Sequence, residues 1–551
     1  MKKDFLKLTL IGIIVVLATV LSWYLNKQSM KGIDDANIYF VYMKNFADGH
    51  GFVYNVGGEK VEGFTSLLWT LIGAFFFYIS NSPEILLLIT NIGLVTFALW
   101  KLFNFLDSYL KHEGFFSNES LLLLGLLFVI PGYFDWTIIT LMETGLWNAL
   151  LLLSAIYLME FNVKKQKIWS EINFCFLIIL MILCRPESLL WVCFFIFFKF
   201  LKNYFTYKSI GKSFVKVIPS LLIFGITTFC LISWRLHYFG YPFPNTFYAK
   251  VSSDIFQNFI NGFLYLFVCF ENNPLVILTF LISLFYIYTI RKDLFNEINY
   301  NYLLCIGITF FTILIPLYTG GDHFGYSRFM QPTMPIILLS FILLLHYFKF
   351  KWKSYYVFAF IIFASFIPNN TIYRAVVTKV TPISHEFGIA LRDRNNSEKL
   401  NLFFKSIPNY PSQGVLTAGG SAYFYKGITI DLLGLNNVEM AHRKKVKNKN
   451  TLKDHASFNK DVFFKQNPDL FWYSCQFVEN TKITDIETLH FGETSRAVFQ
   501  GVHLDKRFSK YYQCVLISNS KLDYSLEIFA SITFLKELDP KIYTFKKLNF
   551  E

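Results

Sequence analysis

Two adjacent carboxylates, Asp34 and Asp35, open the stretch IDDANIYFVYMKNFADGHGFVYNVGGEKVEGFTSLLW, which runs from Ile33 to Trp69. They follow the first apolar run of a chain that is 54% hydrophobic and only 16% charged. A carboxylate at a membrane edge can take a proton from a substrate hydroxyl while a membrane lipid supplies the other reactant. Tyr39, Phe40, Tyr42 and Phe46 suit the membrane surface. Partial loss of water would raise a carboxylate's pKa and suit it to proton abstraction; a nearby cation would lower it. Two neighbouring acids could also hold a divalent ion, so a divalent metal is possible. Three cations stand beside or between apolar runs: Arg185 in RPESLL, Lys250 in PNTFYAK and Arg328 in GGDHFGYSR. Arg is well shaped to clamp a phosphate, although Arg185 could instead pair with Glu187, and Lys250 could simply reach along the interface. Glu62, Glu143, Asn245, Tyr248 and Asp322 are candidates for sugar or acceptor contacts. Glu143 could equally favour a helix start, and Glu62 could sit in a solvated hairpin. His323 reads as structural.

These groups need a frame. Met1 to about Pro368 alternates apolar runs with short polar loops, giving about eleven membrane crossings, several of them short. Ser66–Ser80 and Ile255–Phe270 either lie at the interface or raise the count to thirteen. Residues 369–551 carry strand-like and turn-like stretches and no span. The expected architecture is a polytopic α-helical membrane domain over residues 1–368, with a catalytic outer loop at 27–66, followed by a soluble α/β domain at 369–551. Lys2-Lys3, Lys164-Lys165-Lys167, Lys199 to Lys216, Arg291-Lys292 and Lys349-Lys351-Lys353 place their loops in the cytoplasm. One threading satisfies them all. It puts the N-terminus inside as an uncleaved anchor, and it puts every candidate site residue and the C-terminal domain on the non-cytoplasmic side.

The net charge of +13 could suggest nucleic acid. Much of it lies in the basic runs beside spans, and no recognition motif accompanies it, so nucleic-acid binding is excluded. No GxGxxG or P-loop marks a nucleotide site. No CxxC or His/Cys cluster suggests zinc. Six cysteines lie in or near apolar segments, where they serve as small packing residues; Cys475 and Cys514 lie in the polar part, where pairing is open.

The ordered set IDDANIYF, GHGFVYN, GGEKVEGFTSLLW, METGL, RPESLL, PNTFYAK, GGDHFGYSRFMQP, IDLLGLNNVEMAH, DHASFN and NPDLFW resembles bacterial glycosyltransferases of the GT-C superfamily. It is similar to the mycobacterial-type terminal arabinofuranosyltransferase group and its relatives. The resemblance implies an inverting transferase that moves a sugar from a polyprenyl-phosphate donor to a cell-envelope glycan or glycolipid, in the bacterial inner membrane. It also implies that Asp34, the first acid of the pair, is the base. One departure is visible: Asp454-His455-Ala456 stands where such enzymes usually carry Gly-His-Glu. Two rival readings are an O-antigen ligase or polymerase using a long lipid-linked chain, and a transporter of lipid-linked glycans. A transporter predicts ionisable groups within helices and internal repeats; here the distinctive charges fall in loops and no repeat is evident.

Overall fold

The computed structural model describes residues 2–165, 168–250, 255–294, 296–443, 457–481, 488–489 and 493–550. The chain forms two compact units. One is built from Met1–Gly32, Ser66–Trp234 and Ser252–Phe387; the other from Ile33–Thr65, Arg235–Val251 and Gly388–Glu551.

The first unit is helical. Among the described residues, six helices are long and apolar enough to cross a membrane, or seven with one bent pair. They include Lys2–Leu25, Glu84–Tyr109, Ser188–Tyr207 and Ile218–Phe239, the last of which runs out of this unit at Trp234. Five shorter apolar helices, among them Leu67–Phe77 and Asn118–Val129, complete the set. The chain is a multi-pass membrane protein by the length and composition of these helices. The sequence expectation of eleven to thirteen spans exceeds the number of long helices, because several apolar runs fold as pieces of 11 or 12 residues. The stretch from Ile255 is half of a bent element: Phe256–Asn272 and Pro274–Thr289 meet at 104°. Pro274 opens the second helix at a position where its missing N–H has no intrahelical partner to lose. Tyr300–Thr319 stops at Gly320, whose φ of 86° suits a residue without a side chain.

Several ionisable groups buried in this unit have polar partners. Lys7 donates to Asp107, and Lys199 donates to Glu171 and, at 2.9 Å, to the Ser220 hydroxyl. Lys202 donates to the carbonyls of Leu158 and Met159, at the C-terminal end of the Thr144–Glu160 helix, where a cation is favoured. Lys199 and Lys202 are thus buried, although the sequence reading counts them in a loop cluster. Their long side chains reach inward to a carboxylate, a hydroxyl and two backbone carbonyls.

The second unit centres on a six-stranded sheet. Its strands are β1 (Gln413–Val415), β2 (Thr429–Asp431), β3 (Leu470–Glu479), β5 (Tyr512–Asn519), β6 (Tyr524–Ser531) and β7 (Tyr543–Lys547); β4 (Thr488–Leu489) and β8 (Asn549–Phe550) form a separate pair. The order is β2-β1-β3-β6-β5-β7, with β1 parallel to β2 and β3 and the remaining pairs antiparallel. Alternation along β5 serves two cores: Cys514 and Leu516 pack with Phe463, Phe471 and Phe529, while Val515 and Ile517 pack with Phe403, Leu526 and Ile528. The unit is an α/β domain covered on both faces.

Candidate active site

The segment Ile33–Thr65 folds as part of the sheet-bearing unit, through side chains that satisfy backbone groups from far along the chain. The Tyr54 hydroxyl donates to the Ala418 carbonyl at 2.5 Å. Asn55 bonds both ways with the backbone of Thr429, its amide donating at 2.9 Å and its carbonyl accepting at 3.0 Å, and so caps edge strand β2. Tyr42 donates to Asn436 at 3.0 Å, and Glu59 accepts from the Val438 N–H at 3.1 Å. Gly63 is packed closely here: a Cβ would lie 1.8 Å from the side-chain amide oxygen of Asn436 and 2.7 Å from the Tyr42 hydroxyl.

Within this scaffold, Asp34 is the first residue of the Asp34–Ala47 helix. Its carboxylate accepts the backbone N–H of Gly420 at 2.8 Å on one oxygen and that of Gly419 at 3.1 Å on the other. Only a glycine permits the approach, since a Cβ on residue 419 would sit 1.9 Å from the Asp34 carbonyl oxygen. The Asp34 carboxyl is pushed up to about 7. Burial is the main cause, followed by the charge of Asp393; the two amides oppose them and Asp35 adds a small rise. The group therefore changes charge near neutrality, where a general base works best.

Asp35 has a different environment. Its side chain is 22% exposed and faces the Lys250 ammonium at 3.8 Å, a loose and hydrated pair. Lys250 ends the short Asn245–Lys250 helix. Asn245 fixes that helix: its side-chain amide donates to the Gly434 carbonyl at 2.7 Å, and its backbone N–H donates to the Glu62 carbonyl at 2.9 Å. The Glu62 carboxylate is fully engaged by Arg235, whose Nε and Nη2 each donate at 2.9 Å. Glu62 is therefore a buried ion-pair partner in this structure and presents no solvated carboxylate. Tyr248 lies against His442, ring centroids 4.2 Å apart, and His442 lies at the same distance from Tyr241.

The other candidates belong to the helical unit. Arg185 bridges two carboxylates, donating through Nη1 to the buried Glu143 and through Nε to Glu187. Arg328 donates to Asp322 at 2.8 Å and lies 4.5 Å from the Phe324 ring centroid and 5.6 Å from that of Trp136. His323 stacks on Phe324. Among the described residues, no group of three or more His, Cys, Asp or Glu is arranged to hold a metal ion. Asp454-His455-Ala456 lies outside the described residues. Cys514 is buried and its thiol is free.

No protein-family model matches the sequence, and no curated protein matches it. Solved structures do. The oligosaccharyltransferase of Archaeoglobus fulgidus in the apo form aligns over 93% of this chain and 74% of its own, at 9% identity, with a TM-score of 0.51. The same enzyme in complex with Zn and sulfate aligns over 98% and 73%, at 10% identity, with a TM-score of 0.50. ArnT from Cupriavidus metallidurans bound to undecaprenyl phosphate aligns over 76% of this chain and 85% of its own, at 12% identity, with a TM-score of 0.46. The chain has the GT-C fold.

Sequence reasoning passed over several residues around Asp34. Gly419, Gly420 and Asp393 surround Asp34, and Arg394 donates to Asn37 one turn further along the Asp34 helix. The AGGS run at 418–421 carries a weak signal, a glycine pair beside a strand, where a backbone needs close approach. Arg235, a charge near the end of an apolar helix, is the stronger missed signal, since such a group needs a partner.

Proposed function

We propose that this protein is an inverting membrane glycosyltransferase that moves a sugar from a polyprenyl-phosphate donor to an envelope glycan or glycolipid. The observation that carries the reading is Asp34: a buried carboxyl, held by two backbone N–H groups in a chain of GT-C fold, with its charge change near pH 7. Asp34 takes the proton of an acceptor hydroxyl as that oxygen forms its bond to the anomeric carbon. The bond from that carbon to the donor phosphate breaks, and its electron pair leaves on a lipid phosphate monoester. Attack from the face opposite the leaving group inverts the anomeric centre.

The leaving phosphate gains charge, so a cation beside it lowers the barrier. Lys250 is the first candidate, because its partner Asp35 is loose and partly hydrated. Arg185 and Arg328 are each already bonded to carboxylate, so a phosphate contact there requires an exchange of partners. Asp35 in this reading orients Lys250. Tyr248 and Asp322 stand as acceptor or sugar contacts, and Glu62, Glu143 and Asn245 act through the residues they hold in place. The resemblance of the ordered motifs to those of the terminal arabinofuranosyltransferase group supports a monophosphate lipid donor. The expected site is the outer face of the bacterial inner membrane, with the C-terminal unit extracytoplasmic.

The test is to delete the gene, compare envelope glycans by mass spectrometry, and restore the reaction in isolated membranes with defined donors. A polyprenyl-monophosphate sugar should restore the missing product. Restoration only by a pyrophosphate-linked glycan would favour a ligase or polymerase, and no change in glycans on deletion would remove the proposal.

A further inference from the structure

The Asp34 carboxylate meets a turn that lies more than 380 residues away in the chain. That turn, Thr417–Gly420, is itself braced by Asp393, which accepts the Thr417 hydroxyl on one oxygen and the Arg392 guanidinium at 2.8 Å on the other. Gly420 packs directly on this brace: a Cβ there would lie 3.1 Å from the Asp393 Cβ and 2.7 Å from the Ala390 carbonyl. Asp393 is 4% exposed, so its charge acts through protein rather than water.

We propose that the Thr417–Gly420 turn and Asp393 form the positioning and tuning element of the catalytic acid. The two amides aim both carboxylate oxygens of Asp34, and the Asp393 charge sets how strongly that carboxyl holds its proton. This inference rests on Asp34 being the base.

Two opposed demands explain the arrangement. The amides alone would favour the ionised form and make a weak base, because each donates to a carboxylate oxygen. Burial and a second carboxylate push the other way, and the balance falls near neutrality. Among the described residues, the other charged or titratable groups on the elements about Asp34 include Asp35 on its own helix, Lys250 on the Asn245–Lys250 helix, and Arg392 and Arg394 beside Asp393. Tyr54, which bonds the Ala418 carbonyl, and Tyr423, over which Arg394 lies at 4.1 Å, belong with them. Asp393 is the carboxylate outside the acidic pair that raises Asp34.

The experiment uses membranes of the deletion strain, which retain their own donor and acceptor, carrying full-length wild type, Asp393→Asn or Asp393→Glu at matched abundance. Initial product formation is followed by mass spectrometry from acid to alkaline pH. Wild type should gain rate as pH rises through about 7. Asp393→Asn keeps the shape, with its carbonyl oxygen accepting from Arg392 and its NH2 donating to the Thr417 hydroxyl in a reversed bond, but removes the like charge, so its acid limb should move down by about one pH unit while the alkaline plateau persists. Asp393→Glu should keep the limb near the wild-type position. A purely structural Asp393 would lower the plateau of the Asn variant and leave its limb where wild type has it, and that result overturns the proposal. Gly419→Ala, which must displace the turn, should lower the rate at every pH by more than about tenfold without changing the donor KM. Asp34→Asn separates the two ideas: full activity in that variant defeats the base assignment itself, whereas an inactive Asp34→Asn with an unmoved Asp393→Asn limb defeats only the tuning element.

Discussion

Asp34 and Asp35 are neighbours in sequence with opposite surroundings, and residue-scale chemistry follows from that contrast. Asp34 is buried and raised, whereas Asp35 faces Lys250 near water. A carboxyl raised from 3.8 to about 7 is protonated in the folded chain and ionised in the unfolded one between those values. The folded state then binds more protons, so this group's contribution makes stability fall as pH rises across that window and level off above it. Activity should run the other way and rise through the same window, because the base must be free of its proton. A thermal melt and a rate profile on the same preparation check the two slopes. Lys250→Ala should raise the donor KM and weaken the salt dependence of the rate, read by donor titration at two ionic strengths. Glu62→Gln leaves the buried Arg235 guanidinium without its charge partner and should destabilise by about 3–5 kcal/mol, seen as a lower Tm.

Elements explain why those residues meet. The acidic pair, the aromatic run behind it and the glycine-rich GGEKVEG stretch were legible from sequence as one segment. Its folding with the C-terminal unit was not legible, because the bonds that dock it are single ones to backbone groups: Tyr54 to Ala418, Asn55 to Thr429, Asp34 to Gly419 and Gly420. Such contacts leave no periodic trace. The pairing of Glu62 with Arg235 was hidden for a similar reason: each is intelligible only beside the other. Hydrogen exchange measured by mass spectrometry should show the amides of the Asp34–Ala47 helix protected to the same degree as β3 and β6. Rapid exchange through Ile33–Thr65 with a protected sheet would contradict the docking. Tyr54→Phe should raise exchange in this segment, since about 1–2 kcal/mol is lost when its bond to Ala418 is removed.

At the scale of the whole molecule, hydropathy sufficed for a multi-pass helical part followed by a sheet domain, and the GT-C fold was visible in the order of weak motifs. Span number was harder, because apolar helices of 11 or 12 residues and a pair bent by 104° break the link between one apolar run and one crossing. The expected orientation places the acidic pair and the sheet domain outside the cytoplasm. An impermeant thiol reagent should label a cysteine introduced at the exposed Leu504 in intact cells, and labelling only after lysis would reverse the topology.

The central claim is that Asp34 is the base of a glycosyl transfer, and product formation by Asp34→Asn tests it most directly. In deletion-strain membranes carrying the variant at wild-type abundance, the account predicts a rate at least about 100-fold lower at every pH. A rate equal to wild type would contradict it.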